Sequence, residues 1–134
     1  MSSLITNIFQ GQTFNTVKCC TCNFKHISFD NFLSLSLTLP KSSTRYTHQS
    51  GLDKCFNDFT KEEDIPSVEG YKCKKCKVPV SIKKQSVIWR APPVLIVHLK
   101  RFYVATWRKE KLDTLIEYDT NLDFKPYCGE SSNF

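Results

Sequence analysis

After Cys22 the apolar side chains fall on alternate residues, Ile27, Phe29, Leu33, Leu35, Leu37 and Leu39, with Ser28, Asp30, Ser34, Ser36 and Thr38 between them. A period of two places one face of a strand against a core, so this run predicts one long half-buried strand ended by Pro40. Elsewhere the period is helical. Leu4, Ile5, Ile8 and Phe9 share a helical face, with Ser2 or Ser3 available as N-cap and Gly11 as the stop. Leu52, Cys55, Phe56 and Phe59 repeat that spacing behind Ser50, with Asp53 in the reach-back position of a capping box. Residues 12–19 suit a strand, and Val78, Val80 and Ile82 suggest another. Pro92-Pro93 breaks the chain before Val94, Leu95, Ile96, Val97 and Leu99, a nearly continuous apolar run that predicts a strand covered on both faces at a sheet centre. Further strands are expected in 111–118 and around 122–124. The segments between are polar: a loop over 41–49, a turn-like acidic stretch at Glu62, Glu63 and Asp64, and a fraying tail from 129 to 134. The sum is an α+β chain, mainly antiparallel β.

Cysteine spacing adds the strongest chemical signal. Cys19 and Cys22 form one C-x-x-C pair and Cys73 and Cys76 a second. A two-residue gap lets both thiolates of a pair turn toward one ion, and two such knuckles supply the four ligands of a closed, structural Zn²⁺ site. Lys18 before the first pair, and Lys72, Lys74, Lys75 and Lys77 around the second, favour deprotonated sulfur. Two buried disulfides, or four unrelated core cysteines, are the alternative readings, and the repeated spacing favours metal over both. Fifty residues lie between Cys22 and Cys73, so the intervening chain must form a substructure of its own.

No catalytic residue emerges. Cys20 sits between ligands, Cys55 on the apolar face of a helix and Cys128 in the tail, and none has the electropositive, half-exposed setting of an activated thiol. His26 could replace a cysteine at a metal, but four cysteines already fill the tetrahedron. His98, inside a strand, reads as structural, and His48 carries no signal. Phe24 and Phe32 read as core in preference to partner contacts.

Composition narrows the setting. At 134 residues and 40% hydrophobic the chain has the size and apolar content of one ordinary domain. Seven cysteines are an odd number, no secretory leader precedes them, and their spacing suits metal, which together favour a reducing compartment, cytosol or nucleus. No stretch has the length of a membrane span. The formal charge of +6 is compatible with nucleic acid, but the lysines are scattered or crowd the second cysteine pair instead of forming one basic tract.

The run Pro93-Val94-Leu95-Ile96-Val97-His98-Leu99-Lys100-Arg101-Phe102 resembles the box of the ubiquitin-specific proteases, papain-like cysteine deubiquitinases. Other segments agree with that family in order: Asn7-Ile8-Phe9-Gln10-Gly11-Gln12, Thr16-Val17-Lys18-Cys19 with Cys22, Phe32-Leu33-Ser34-Leu35-Ser36-Leu37, Leu52 with Cys55-Phe56 and Phe59, Tyr71 with Cys73 and Cys76, then Lys111-Leu112 and Leu122-Asp123. Their spacing is closest to the type 8 endosomal subgroup. The resemblance implies the fingers and part of the palm of a hand-shaped domain: short helices and zinc-bearing fingers over 1–93, palm strands over 94–128 and a tail over 129–134. It also implies that Cys19, Cys22, Cys73 and Cys76 pin the fingertips, and that ubiquitin or ubiquitinated proteins are the partners. The acidic residues 62–64 would be a solvated loop or a contact with a basic face of ubiquitin. The family's cysteine box would precede Ile5 and its histidine box would follow His98. Neither run is present, so the chain is expected to be an internal piece of a thiol-dependent deubiquitinase. A non-catalytic ubiquitin-binding module is the alternative, and a zinc-ribbon nucleic-acid binder ranks third.

Overall fold

A computed structural model describes residues 2–39, 49–105 and 108–133. The predicted loop over 41–49, with Pro40 and His48, lies outside these residues except for Gln49. The elements in chain order are α1 (Leu4–Phe9), β1 (Gly11–Cys19), β2 (Lys25–Phe32), β3 (Leu35–Thr38), β4 (Gln49–Gly51), α2 (Leu52–Thr60) and β5 (Glu63–Ile65). They continue with β6 (Ile82–Arg90), β7 (Val97–Lys100), β8 (Phe102–Ala105), β9 (Arg108–Lys111), β10 (Leu115–Glu117) and β11 (Cys128–Asn133). The α+β expectation holds, with strands dominant.

The largest sheet runs β11-β6-β1-β2, and β5 shares the outer edge of β6 with β11. Its two long ladders, β1 with β2 and β1 with β6, are antiparallel. Among the described residues three smaller pairings follow: β3 with β7 and β10 with β4 are parallel, and β8 with β9 is antiparallel.

Ser3 caps α1 through a capping box closed by Thr6, whose backbone N–H donates to the Ser3 hydroxyl at 3.2 Å. The cap at the other end is Gln10, not Gly11. Gly11 instead opens β1 opposite Phe32, whose ring, with the Arg90 carbonyl, occupies the space a Cβ would need. The glycine is there for close approach rather than to end a helix.

The alternation over 27–39 predicts one strand, and the structure has two. The chain bends at Leu33-Ser34, β2 stays on the large sheet, and β3 leaves to pair with β7. Periodicity reports which residues share a face locally and cannot register a bend that keeps the parity. As a result Leu35, Leu37 and Leu39 are buried, whereas Ile27, Phe29 and Leu33 are about half exposed.

Other expectations shift for similar reasons. Helix α2 is capped at Gly51 without a side-chain hydrogen bond, so the Ser50–Asp53 box is not formed. The acidic stretch at 62–64 is a strand edge as much as a turn, because β5 pairs with the lysines of β6. Val78 and Val80 precede the strand, which begins at Ile82 and runs on to Arg90. Among the described residues β7 pairs only with β3, and Val94 and Ile96 are exposed, so this run does not form a covered central strand. Residues 122–124 form no strand. Leu122 and Phe124 pack on the core and lead into a single 3₁₀ turn, Lys125–Tyr127. The expected fraying tail instead begins as β11, parallel to β6, while Phe134 lies outside the described residues.

Two apolar clusters result among the described residues. The larger, at the base, joins Leu35, Leu37 and Leu39 of the β3 segment to Cys55 and Phe56 of α2 and to Ile88, Ile116 and Tyr127. The Phe56 ring stacks on Tyr127 at 5.1 Å and meets the edge of Phe124 at 5.2 Å. The smaller cluster, at the far end of the large sheet, is Cys19, Cys73, Val80 and Ile82, with Val17, Ile65 and Tyr71 around it.

Candidate metal centre

Strand β1 delivers Cys19 to the tip of the large sheet as its last residue, paired with Ile82 at the start of β6. The chain then reverses through 20–24 into β2. The second cysteine pair lies just before β6, reached through Gly70, whose φ of 84° is the left-handed conformation that favours glycine.

The two knuckles have the same backbone. In the first, the Asn23 amide donates to the Cys19 carbonyl at 3.0 Å and the Cys19 amide to the Phe24 carbonyl at 2.9 Å. In the second, the Lys77 amide donates to the Cys73 carbonyl at 2.8 Å and the Cys73 amide to the Val78 carbonyl at 3.3 Å. Each turn closes on a residue with positive φ, Asn23 at 61° and Lys77 at 59°. Such a residue immediately after the second cysteine turns the chain back, so that the next residue's carbonyl meets the amide of the first cysteine. The amides of Lys75 and Cys76 both point at the Cys73 sulfur, at 3.4 Å.

The four sulfurs of Cys19, Cys22, Cys73 and Cys76 lie within 4.8 Å of one another. Across the knuckles, Cys19 and Cys76 are 4.0 Å apart and Cys22 and Cys73 3.7 Å apart. A tetrahedral ion with metal–sulfur bonds of ~2.3 Å sets its ligands about 3.8 Å apart, so this donor set fits one zinc-sized ion. All seven cysteines are free, which removes the disulfide reading.

The thiols differ when the ion is left aside. Amide hydrogens of Cys22, and then of Thr21, outweigh burial and lower the Cys19 thiol to about 6. The Cys22 sulfur, followed by burial and the Cys19 and Cys73 sulfurs, raises that of Cys76 to about 12. Four sulfurs this close share their protons unequally, and a divalent ion would take the place of those protons.

The remaining candidates stay apart from the cluster. Cys20 is exposed beside it, its amide bonded to the Ser81 carbonyl at 3.0 Å. Cys55 is fully buried in the base core, and burial, with the charges of Asp58 and Asp53, raises its thiol. That is the setting of a structural cysteine. Cys128 opens β11 and its Sγ donates to the Phe124 carbonyl at 3.1 Å, so it belongs to an ordered strand and not to a loose tail. His26 lies on β2, outside the sulfur cluster. His98 is on β7, its Nδ1 3.5 Å from the Ser36 hydroxyl. Phe24 is partly exposed rather than core, whereas Phe32 packs on the base cluster.

Two arrangements were not visible in the sequence. Arg101 donates through one guanidinium nitrogen to the Leu112 carbonyl at 3.2 Å and the Thr114 carbonyl at 2.8 Å, tying the end of the 93–102 run to the segment before β10. Phe14, Phe29 and Trp89 form a trio with ring centroids 5.2 to 5.6 Å apart on one face of the large sheet. The signal for the trio was cross-strand register, which a single strand pattern does not contain.

Residues 1–133 match the family described as ubiquitin carboxyl-terminal hydrolase. The chain is 36% identical to ubiquitin carboxyl-terminal hydrolase 3 of Homo sapiens over 140 aligned residues, covering 98% of this chain and 27% of that protein. It is also 36% identical to the Usp2 hydrolase of Drosophila melanogaster over 135 residues, covering 98% of this chain and 14% of the other. Among solved structures, a SAGA Ubp8/Sgf11/Sus1/Sgf73 DUB module bound to ubiquitin aldehyde superposes with a TM-score of 0.78 at 29% identity, over 96% of this chain and 27% of that one. The chain thus spans about a quarter or less of the length of these relatives.

Proposed function

This chain belongs to the ubiquitin carboxyl-terminal hydrolase family, and from that premise we propose that it is the zinc-braced fingers and part of the palm of a thiol-dependent deubiquitinase. The observation that supports this reading most is the convergence of Cys19, Cys22, Cys73 and Cys76, from segments far apart in the chain, at the tip of a sheet. The residues 1–93 are the fingers with their short helices and 94–128 the palm strands. The four thiolates hold a structural Zn²⁺, which supplies a cross-link and no reaction chemistry.

In this reading the chain contributes hold, not attack. Ubiquitin, free or attached to a protein, is the partner. The attacking cysteine and its histidine belong to other parts of the parent protein, where the thiolate forms an acyl-enzyme at the ubiquitin C-terminus and water releases it. The metal-type cysteines, the buried Cys55 and the strand histidine His98 are consistent with this division. The spacing of the family segments supports placement in the type 8 endosomal subgroup. The free cysteines at metal-type spacing support a reducing compartment, cytosolic or nuclear.

Two measurements test the proposal. Zinc-loaded chain titrated with ubiquitin should give saturable binding that chelation abolishes. A longer stretch of the parent protein should release the fluorophore from a ubiquitin C-terminal amide, and this chain should not. Turnover by the chain alone would contradict the division of labour. Binding by the chain without turnover by the longer protein would favour the second reading, a ubiquitin-binding module without catalysis. The lysines near the knuckles motivated a third reading, a nucleic-acid binder, which steeply salt-dependent retention on nucleic acid would support.

A further inference from the structure

The register of the large sheet places Lys18 directly opposite Lys25 on one side and Lys83 on the other. Residues directly opposite in antiparallel pairs share a face, so three lysines stand abreast across β2, β1 and β6, all exposed. With strands ~4.8 Å apart the row is about 10 Å wide. Like charges so placed oppose sheet formation, and the fold answers only one end of the row. Lys83 is met by Glu62 at 3.4 Å and Asp64 at 3.8 Å. Lys84, on the opposite face, has Glu63 opposite it in the ladder. Lys18 and Lys25 have no carboxylate partner among the described residues.

The second knuckle adds Lys72, Lys74, Lys75 and Lys77, all exposed. Four thiolates around a divalent ion leave a net charge of about −2, which six uncompensated lysines exceed. Toward the base on the same face, Ile27 and Phe29 continue the surface and are 47% and 48% exposed.

We propose that this fingertip face docks a short acidic segment of a partner protein, its carboxylates on Lys18 and Lys25 and its apolar side chains on Ile27 and Phe29. Nucleic acid fits the face less well. The row is short and ends in the carboxylates of Glu62 and Asp64, which would repel a continuing phosphate backbone. No arginine lies in the row or the second knuckle to fork onto phosphate. The Phe14, Phe29 and Trp89 rings tilt against one another, at 32° to 68°, instead of lying as parallel platforms for bases.

The test uses zinc-loaded chain and a fluorescein-labelled decaglutamate peptide, followed by anisotropy, with decathymidylate in parallel. The expected result is saturable peptide binding that weakens about tenfold between roughly 50 and 300 mM salt. The Lys18→Gln/Lys25→Gln double variant should lose roughly fivefold or more of that affinity. Lys54→Gln, an exposed lysine on α2, should retain it. No binding at low salt, equal loss in Lys54→Gln, or tighter binding of decathymidylate would each overturn the proposal. Ubiquitin is absent from the assay, so its outcome is separate from that of the ubiquitin reading.

Discussion

Replacing Cys73 with serine removes one sulfur from the tip and nothing from the base. Cys73 is 2% exposed, and its sulfur accepts the amides of Lys75 and Cys76 at 3.4 Å. A structural zinc contributes about 10–16 kcal/mol of apparent binding free energy at neutral pH, so each of four thiolates accounts for roughly 3 kcal/mol. Loss of one should weaken zinc about a hundredfold. The damage should stay local, because the tip cluster of Cys19, Cys73, Val80 and Ile82 shares no member with the base cluster around Phe56. Two readouts decide the matter. Metal content should fall from one zinc per chain to well below one after gel filtration against a weak chelator. Hydrogen exchange should accelerate at the tip amides of Lys77 and Val80, bonded to the Cys73 and Tyr71 carbonyls, while the Leu35 amide at the base, bonded to the Ile96 carbonyl, keeps its protection. Full metal content in Cys73→Ser would refute the ligand assignment. Equal loss of protection at Leu35 would refute the separation of tip from base.

Phe56→Ala, at a fully buried ring with two aromatic neighbours, should destabilise the chain by about 3–5 kcal/mol in a denaturant titration without lowering zinc content. Arg101→Ala leaves the Leu112 and Thr114 carbonyls without their charged donor and should cost about 1.5–3 kcal/mol, with Arg101→Lys restoring only part of it. At pH 7 the Cys19 thiol, lowered to about 6, is mostly thiolate, whereas Cys76, raised to about 12, holds its proton. Zinc loading must therefore release at least one proton, and affinity should rise with pH above neutrality. Calorimetric enthalpies that do not vary with the ionisation enthalpy of the buffer would contradict this.

The parts legible in the sequence are those fixed by local spacing. The C-x-x-C pairs, the α2 face, the α1 helix and β1 each depend on residues within a few positions of one another, and each is where the pattern placed it, although α1 leaves Leu4 and Ile5 exposed. What was missed depends on pairing between distant segments. The alternation over 27–39 is correct residue by residue, yet half of it faces solvent because β3 departs to β7. The apolar run 94–99 reads as doubly covered, but Val94 and Ile96 are about half exposed. The tail became β11 because β6 offers an open edge beyond β5, which nothing in residues 128–133 announces. Gly11 shows the same limit at one residue: its position after a helix suggests a stop, and only the distant Phe32 ring shows why a side chain cannot be there.

Loop closure explains why the metal can matter at the tip and little elsewhere. Cys19 and Cys76 are 57 positions apart, and Cys22 and Cys73 are 51 apart. A cross-link across a loop of that length would relieve several kcal/mol of chain entropy if nothing else closed it. The β1–β6 ladder closes nearly the same loop independently, from the Cys19–Ile82 pair at the tip to the Gln12–Arg90 pair near the base. Once that ladder has formed, the metal has only the short segments 20–24 and 70–81 left to order. Those segments hold few apolar side chains besides Tyr71 and Val80 in contact with the cluster. Chelation should therefore leave a folded base with an unravelled tip, and the two cysteine pairs are better understood as a clamp on the end of a preformed sheet than as the staple that creates it.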